Sequence, residues 1–275
     1  MANRWWVGGT GTWDASTTTH WSSVNSGGAG GASVPGSADP VIFDANSGGG
    51  IVTVNTTVNV SSITCGAHTG TLDFSANNNN VTVGSFVSTA TGTRTLNLGN
   101  GTWTITGTAS NVWAITATNL TFNANSSVLT FTATTTATRN FTPGTALTYS
   151  TVTVSPNTLG GPFLFNGAGT FGTLNVSGPE FIQFAAFSTF TISTINISGS
   201  SGSVVSLLSG TPGTTTTLSV ASNAPTITWA AIRDLTCTGG ATFAATNSFD
   251  LGHNSGITIT APMVVRHPPT YQIGI

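Results

Sequence analysis

Along most of this chain apolar and polar residues alternate one by one. The recurring unit is apolar–polar–apolar with Thr, Asn, Asp or Ser at its centre: Val52-Thr53-Val54, Leu72-Asp73-Phe74, Leu96-Asn97-Leu98 and Leu120-Thr121-Phe122. It returns as Leu129-Thr130-Phe131, Val152-Thr153-Val154, Leu174-Asn175-Val176, Ile195-Asn196-Ile197, Leu218-Ser219-Val220, Leu235-Thr236-Cys237 and Ile257-Thr258-Ile259. Successive side chains of a strand point to opposite faces, so this alternation predicts short strands with one buried face. Leu72, Leu96 and Leu120 are evenly spaced, and Leu129, Val152, Leu174, Ile195 and Leu218 follow at a slightly shorter, nearly constant step. A sustained step of roughly 21–24 residues predicts a solenoid in which each coil is one unit. The step breaks between Leu120 and Leu129 and between Leu218 and Leu235, which reads as coils with longer or shorter turns.

Further short strands, such as Val81-Thr82-Val83 and Trp103-Thr104-Ile105, fall between these units. Gly and Asn punctuate them at Asn77 to Asn80, Gly99-Asn100-Gly101 and Gly160-Gly161. Both tolerate the left-handed backbone that tight corners need. The expected fold is all-β, a single-chain right-handed parallel β-helix. About nine coils at ~4.8 Å each give a rod about 40–45 Å long. A β-sandwich or jelly roll is the alternative; it explains the strands but not the step.

Composition fits the same picture. Of 275 residues only 12 carry a formal charge: five Arg, six Asp and Glu180, with no Lys. Thr, Gly, Ser and Asn together make up just over half of the chain. In a parallel stack equivalent side chains lie directly above one another, and a column of like charges repels by about 1 kcal/mol per contact even in water. Thr and Asn columns avoid that repulsion and hydrogen-bond along the ladder. Five dispersed Arg form no phosphate-binding patch, so no nucleic-acid partner is expected. No apolar run is long enough to span a membrane as a helix, and none follows Arg4 as a secretory signal would, so neither membrane insertion nor signal-directed export is expected. Cys65 and Cys237, far apart in sequence, read as two buried thiols filling strand positions.

Residues 1–50 differ from the rest. They hold four of the seven Trp (Trp5, Trp6, Trp13 and Trp21) and the loop Gly27-Gly28-Ala29-Gly30-Gly31. A solenoid exposes an open edge at each end, so this region is expected to cap the first coil. The same four Trp are also the candidates for stacking on sugar rings. Residues 51–261 are assigned to the β-helix and residues 262–275, rich in Pro, to a docking or trimer-contact tail.

Two stretches resemble known proteins. Trp6-Val7-Gly8-Gly9-Thr10-Gly11-Thr12-Trp13, then Trp21, Val34-Pro35 and Asp39-Pro40-Val41-Ile42-Phe43-Asp44, is similar to the opening of bacterial and phage-encoded surface β-helix proteins. Ile227-Thr228-Trp229 through Asp234, and Asn247-Ser248-Phe249-Asp250-Leu251-Gly252-His253-Asn254-Ser255-Gly256, resembles a closing motif of such proteins. That motif usually continues with Gly-Trp, whereas Ile257 follows Gly256 here. The resemblance covers the two ends. It implies a structural protein on the exterior of a phage virion, made in the host cytoplasm, as a head fibre, decoration or tail adhesin. Its partners would be other virion proteins, further copies in a trimer, and a host surface glycan. The alternatives are a bacterial adhesin and a polysaccharide-degrading tail spike.

Little chemistry stands against a non-enzymatic reading. Glycoside hydrolysis needs two carboxyls at a set separation, and Asp234 and Asp250 are the candidates in the closing region. Arg233 and Asp234 should point to opposite faces if they lie in a regular strand. Glu180 follows Pro179 in an expected turn. Asp250 and Asn254 offer oxygens to a calcium ion or, alternatively, stabilise a turn. His20, His68, His253 and His267 have no paired metal-ligand spacing. No cofactor is expected.

Overall fold

The computed structural model describes residues 2–108 and 110–263; the docking tail assigned to residues 262–275 lies almost wholly outside them. The described chain is all-β, and its helical content is a single 3-10 turn, Ala45–Ser47. Strands pair in parallel with the coil before and the coil after, and stack as a β-solenoid of about nine turns. Among the described residues, antiparallel pairing between strands is confined to Arg4–Trp6 with Trp21–Ser22.

The pairing register resolves three faces. On face A the inward residues Val60, Val83, Ile105, Phe131, Val154, Val176, Ile197, Ile227, Ala245 and Ile259 stack in one column. Face B begins with Arg4–Trp6 against Pro40–Phe43 and ends with Ala230–Arg233 against Phe249–Asp250. Face C begins with Gly11–Trp13 against Ile51–Val54 and reaches Thr216–Ser219 against Leu235–Thr238. From Val58 onward the chain visits A, B and C in that order on every turn.

Coil length varies far more than the sequence step suggests. On face A, the turn that pairs Ala245 with Ile259 is less than half as long as the turn that pairs Ile197 with Ile227. The even step read from the sequence mixes two faces. Leu120-Thr121-Phe122 lies on face C and Leu129-Thr130-Phe131 on face A of the same turn, so that break is a change of face and not a changed coil. The other break is a short coil, which brings Leu218 into register with Cys237.

From the N-terminal end to Phe184 the interior holds one column of aromatic rings, and aliphatic side chains such as Leu207, Leu218 and Ile232 fill the later coils. Ring contacts run from Trp13 to Phe74 (6.5 Å), Phe74 to Trp103 (4.6 Å) and Trp103 to Trp113 (5.7 Å). They continue from Trp113 to Phe141 (6.4 Å), Phe141 to Phe165 (5.6 Å) and Phe165 to Phe184 (5.1 Å). Each such pair adds roughly 0.5–1.5 kcal/mol beyond the area it buries. Cys65 and Cys237 fill buried strand positions as free thiols, and burial pushes both up to about 12.

Outward positions carry the uncharged ladders. On face A, Thr82, Thr104, Thr130, Thr153, Asn175 and Asn196 follow one another. Asn196 Nδ2 donates to Asn175 Oδ1 (2.9 Å), and Asn175 Nδ2 donates to Thr153 Oγ1 (3.3 Å). An amide can donate in one direction along a column and accept in the other; a carboxylate only accepts.

Candidate functional site

The N-terminal tryptophans face inward. Trp6, Trp13 and Trp21 are fully buried, and Trp5 is half-buried in the strand against Ile42. Trp6 stacks on His20 (4.7 Å, 7°) and meets Trp21 edge-on (5.1 Å); Trp13 meets Trp21 likewise (5.1 Å). Trp6 Nε1 donates to Gly9 O (2.8 Å). With their faces covered by other protein rings, Trp6, Trp13 and Trp21 cannot stack on a sugar. They close the aromatic column at its N-terminal end.

Several ionic groups are drawn into the wall or core of the rod. Arg139 on face B bridges to Glu180, two coils on, at 2.8 Å, with both side chains fully buried. Arg139 also donates to Ala133 O (2.8 Å) and lies over the Phe163 ring (5.4 Å). Burial raises Glu180, and the neighbouring guanidinium only partly opposes this. Glu180 therefore begins the strand Glu180–Phe184 instead of standing in a turn, because a buried cation holds it there. At the corner before the strand Phe163–Phe165, a Cβ added at Gly161 would lie 2.3 Å from Thr135 O.

A second buried group lies at the B–C corner near the N-terminal end. Arg94 donates to the carbonyls of Thr118 (2.9 Å) and Thr116 and to Ser88 Oγ (3.2 Å), tying adjacent coils together. It lines a cavity of about 10 Å³ with Cys65 and His68. His68 is 2 % exposed, neither ring nitrogen has a hydrogen-bond partner, and burial pushes it down to about 4. Nothing in the alternation of the sequence marks this cluster.

Further along the B–C corner the chain turns left-handed at Gly144, Gly167, Phe187, Gly213, Asp234 and His253 on successive coils. Asp234 is fully buried and left-handed (φ 58°), so it leaves the regular strand geometry. Arg233 is consequently not directed away from it: Arg233 Nε donates to Asp234 Oδ2 (3.0 Å). Gly213 N donates to the same oxygen (3.0 Å), and His253 Nδ1 lies 3.1 Å from Oδ1. Burial works to raise the Asp234 carboxyl, and the hydrogen bonds from Gly213, His253 and Arg233 outweigh it, leaving the group below its ordinary value. A general acid needs the opposite shift. Asp250 Oδ1 accepts from Gly252 N (2.9 Å) and Asn254 Nδ2 (2.7 Å), and Asn254 Oδ1 accepts from Leu235 N (3.0 Å). These bonds build a turn, and no cluster of three or more His, Cys, Asp or Glu forms among the described residues.

Open recesses mark the corners of the rod. One of about 570 Å³ lies at the C–A corner and is lined by Asn123, Asn125, Thr148, Ser150, Thr151 and Thr173 among others. A smaller one, about 270 Å³, lies at the B–C corner beside Asn166. Neither of these two is lined by a charged side chain. No family model, curated protein or solved structure matches this chain. Its reading therefore rests on its own residues.

Proposed function

We propose that this chain is a non-enzymatic structural protein of a phage virion, displayed on the particle exterior as a head fibre, decoration or tail adhesin, with a host surface glycan as a contact. The observation that carries the reading is the outward ladder of Thr and Asn on a rod whose ionic pairs are largely turned inward. Such a surface suits life outside a cell: it is hydrated, nearly uncharged and hydrogen-bonds to neutral partners. Arg94 and Arg139 are buried, which removes two of the sites a basic-specific protease would use. The resemblance of both ends to phage-encoded surface β-helix proteins points the same way.

Mass spectrometry of purified particles from a strain carrying this gene tests the proposal. The chain should be recovered from the particle fraction in stoichiometric amount. Its absence from particles would sink the reading and leave the bacterial adhesin.

A further inference from the structure

Phe187 sits at the B–C corner, 89 % exposed, with its backbone left-handed (φ 59°). Both features count against the fold. Left-handed backbone is unfavourable for a residue with a bulky side chain, and an exposed ring contributes almost no burial. On the other coils this corner turns left-handed at Gly144, Gly167, Gly213, Asp234 and His253, none of which carries a large apolar side chain. The turn itself is kept by the backbone, since Phe187 N donates to Thr215 O (3.1 Å) and Ser188 N to Ala185 O (3.3 Å). Strain held at a position that does nothing for packing is a mark of function.

The surroundings define what such a ring would meet. One coil back at the same corner, the segment Asn166-Gly167-Ala168 lines a groove of about 270 Å³. Its polar lining is hydroxyl and amide: Thr116, Thr118, Thr142, Thr145 and Asn166. Asn166 Nδ2 donates to Thr142 Oγ1 (3.3 Å), and among the described residues nothing donates to its Oδ1. An aromatic face beside a row of neutral donors and acceptors matches a sugar ring, with its apolar C–H face and its equatorial hydroxyls. An anionic ligand would find no cation in this groove, and a peptide would find no unpaired strand edge, because both neighbouring coils are already paired.

We infer that this corner is a binding site for a neutral oligosaccharide, with Phe187 as its stacking platform and Asn166, Thr142 and Thr145 as its hydrogen-bonding floor. The inference deepens the proposed function by locating its glycan contact, and rests on that reading only for the biological setting.

The test is binding of the full chain to an immobilised panel of short neutral hexose and N-acetylhexosamine oligomers, with an acidic polysaccharide for comparison. The chain should bind at least one neutral oligomer and ignore the acidic polymer. Phe187→Ala should weaken binding at least about tenfold, Phe187→Trp should retain it, and Asn166→Ala should weaken it. Thr173→Ala, in the larger recess, should leave it unchanged. Phe187→Asn, which suits left-handed backbone, should abolish binding while its melting temperature holds or rises. Three results would overturn the inference: no binding to any neutral oligomer, binding indifferent to Phe187→Ala, or a change of oligomeric state in Phe187→Ala that marks the ring as a subunit contact. A chain that binds sugar yet is missing from particles defeats the virion reading alone; a chain found in particles whose panel binding ignores Phe187 defeats this site alone.

Discussion

At the scale of single residues, the buried Arg139–Glu180 pair is the most consequential contact. Removing one member leaves a buried ionisable group without its partner, so Arg139→Met should lower unfolding free energy by about 3–5 kcal/mol. The double variant Arg139→Met/Glu180→Leu should lie closer to the wild type than Arg139→Met does, because no buried charge is then left unpaired. A double-mutant cycle by denaturant unfolding reads this directly. His68 gives a pH signature. Its folded value, about 4, lies below the ordinary 6.5, so the unfolded chain takes up the proton first as the solution is acidified. Its contribution is complete above pH 6.5 and drains away as pH falls toward 4, by about 3 kcal/mol. Unfolding midpoints measured across that window should fall for the wild type, and His68→Leu should remove this part of the slope.

At the scale of the element, the ladders state what a coil requires: an inward apolar column, an outward neutral column, and a corner with room for close backbone approach. Gly161 is one such corner, and Gly172, whose added Cβ would lie 2.5 Å from Ser150 O, is another. The outward column can be challenged directly. Asn175→Asp and Asn196→Asp should each be mild, and the double variant should lose more than the two losses added together, by about 1 kcal/mol at low salt. High salt should shrink that excess; denaturation at two ionic strengths measures it. The alternation made the strands, the neutral columns and the stacking legible from the residues. It left hidden which face each strand occupies, because Leu120-Thr121-Phe122 and Leu129-Thr130-Phe131 carry the same pattern on different faces. The corner site was equally illegible. Phe187 looks like any other Phe until the chain turns, and Asp234 and His253 come together only through a left-handed bend that no alternation encodes. Glu180 was misplaced for a related reason: its partner lies 41 residues away, beyond any local signal.

At the scale of the molecule, the two ends differ among the described residues. The N-terminal end is closed by the Arg4–Trp6 and Trp21–Ser22 pairing over Trp6, Trp13 and Trp21. At the other end Phe249 and Leu251 are 42 % and 51 % exposed. Deleting residues 2–37 would strip the covering rings from Phe43, Val54 and Phe74 and leave an unpaired parallel edge. That variant should grow into large aggregates where the full chain does not, as light scattering after size exclusion would register.

The fixed order of faces A, B and C has one more result. The short turn from Ala245 to Ile259 and the long one from Ile197 to Ile227 advance the stack by the same single rung. The molecule thus separates contour from height: extra chain swells a corner sideways and adds nothing to reach. A lineage of such proteins could rewrite its loops freely while holding its span constant, as a gauge keeps its length whatever is hung on its sides.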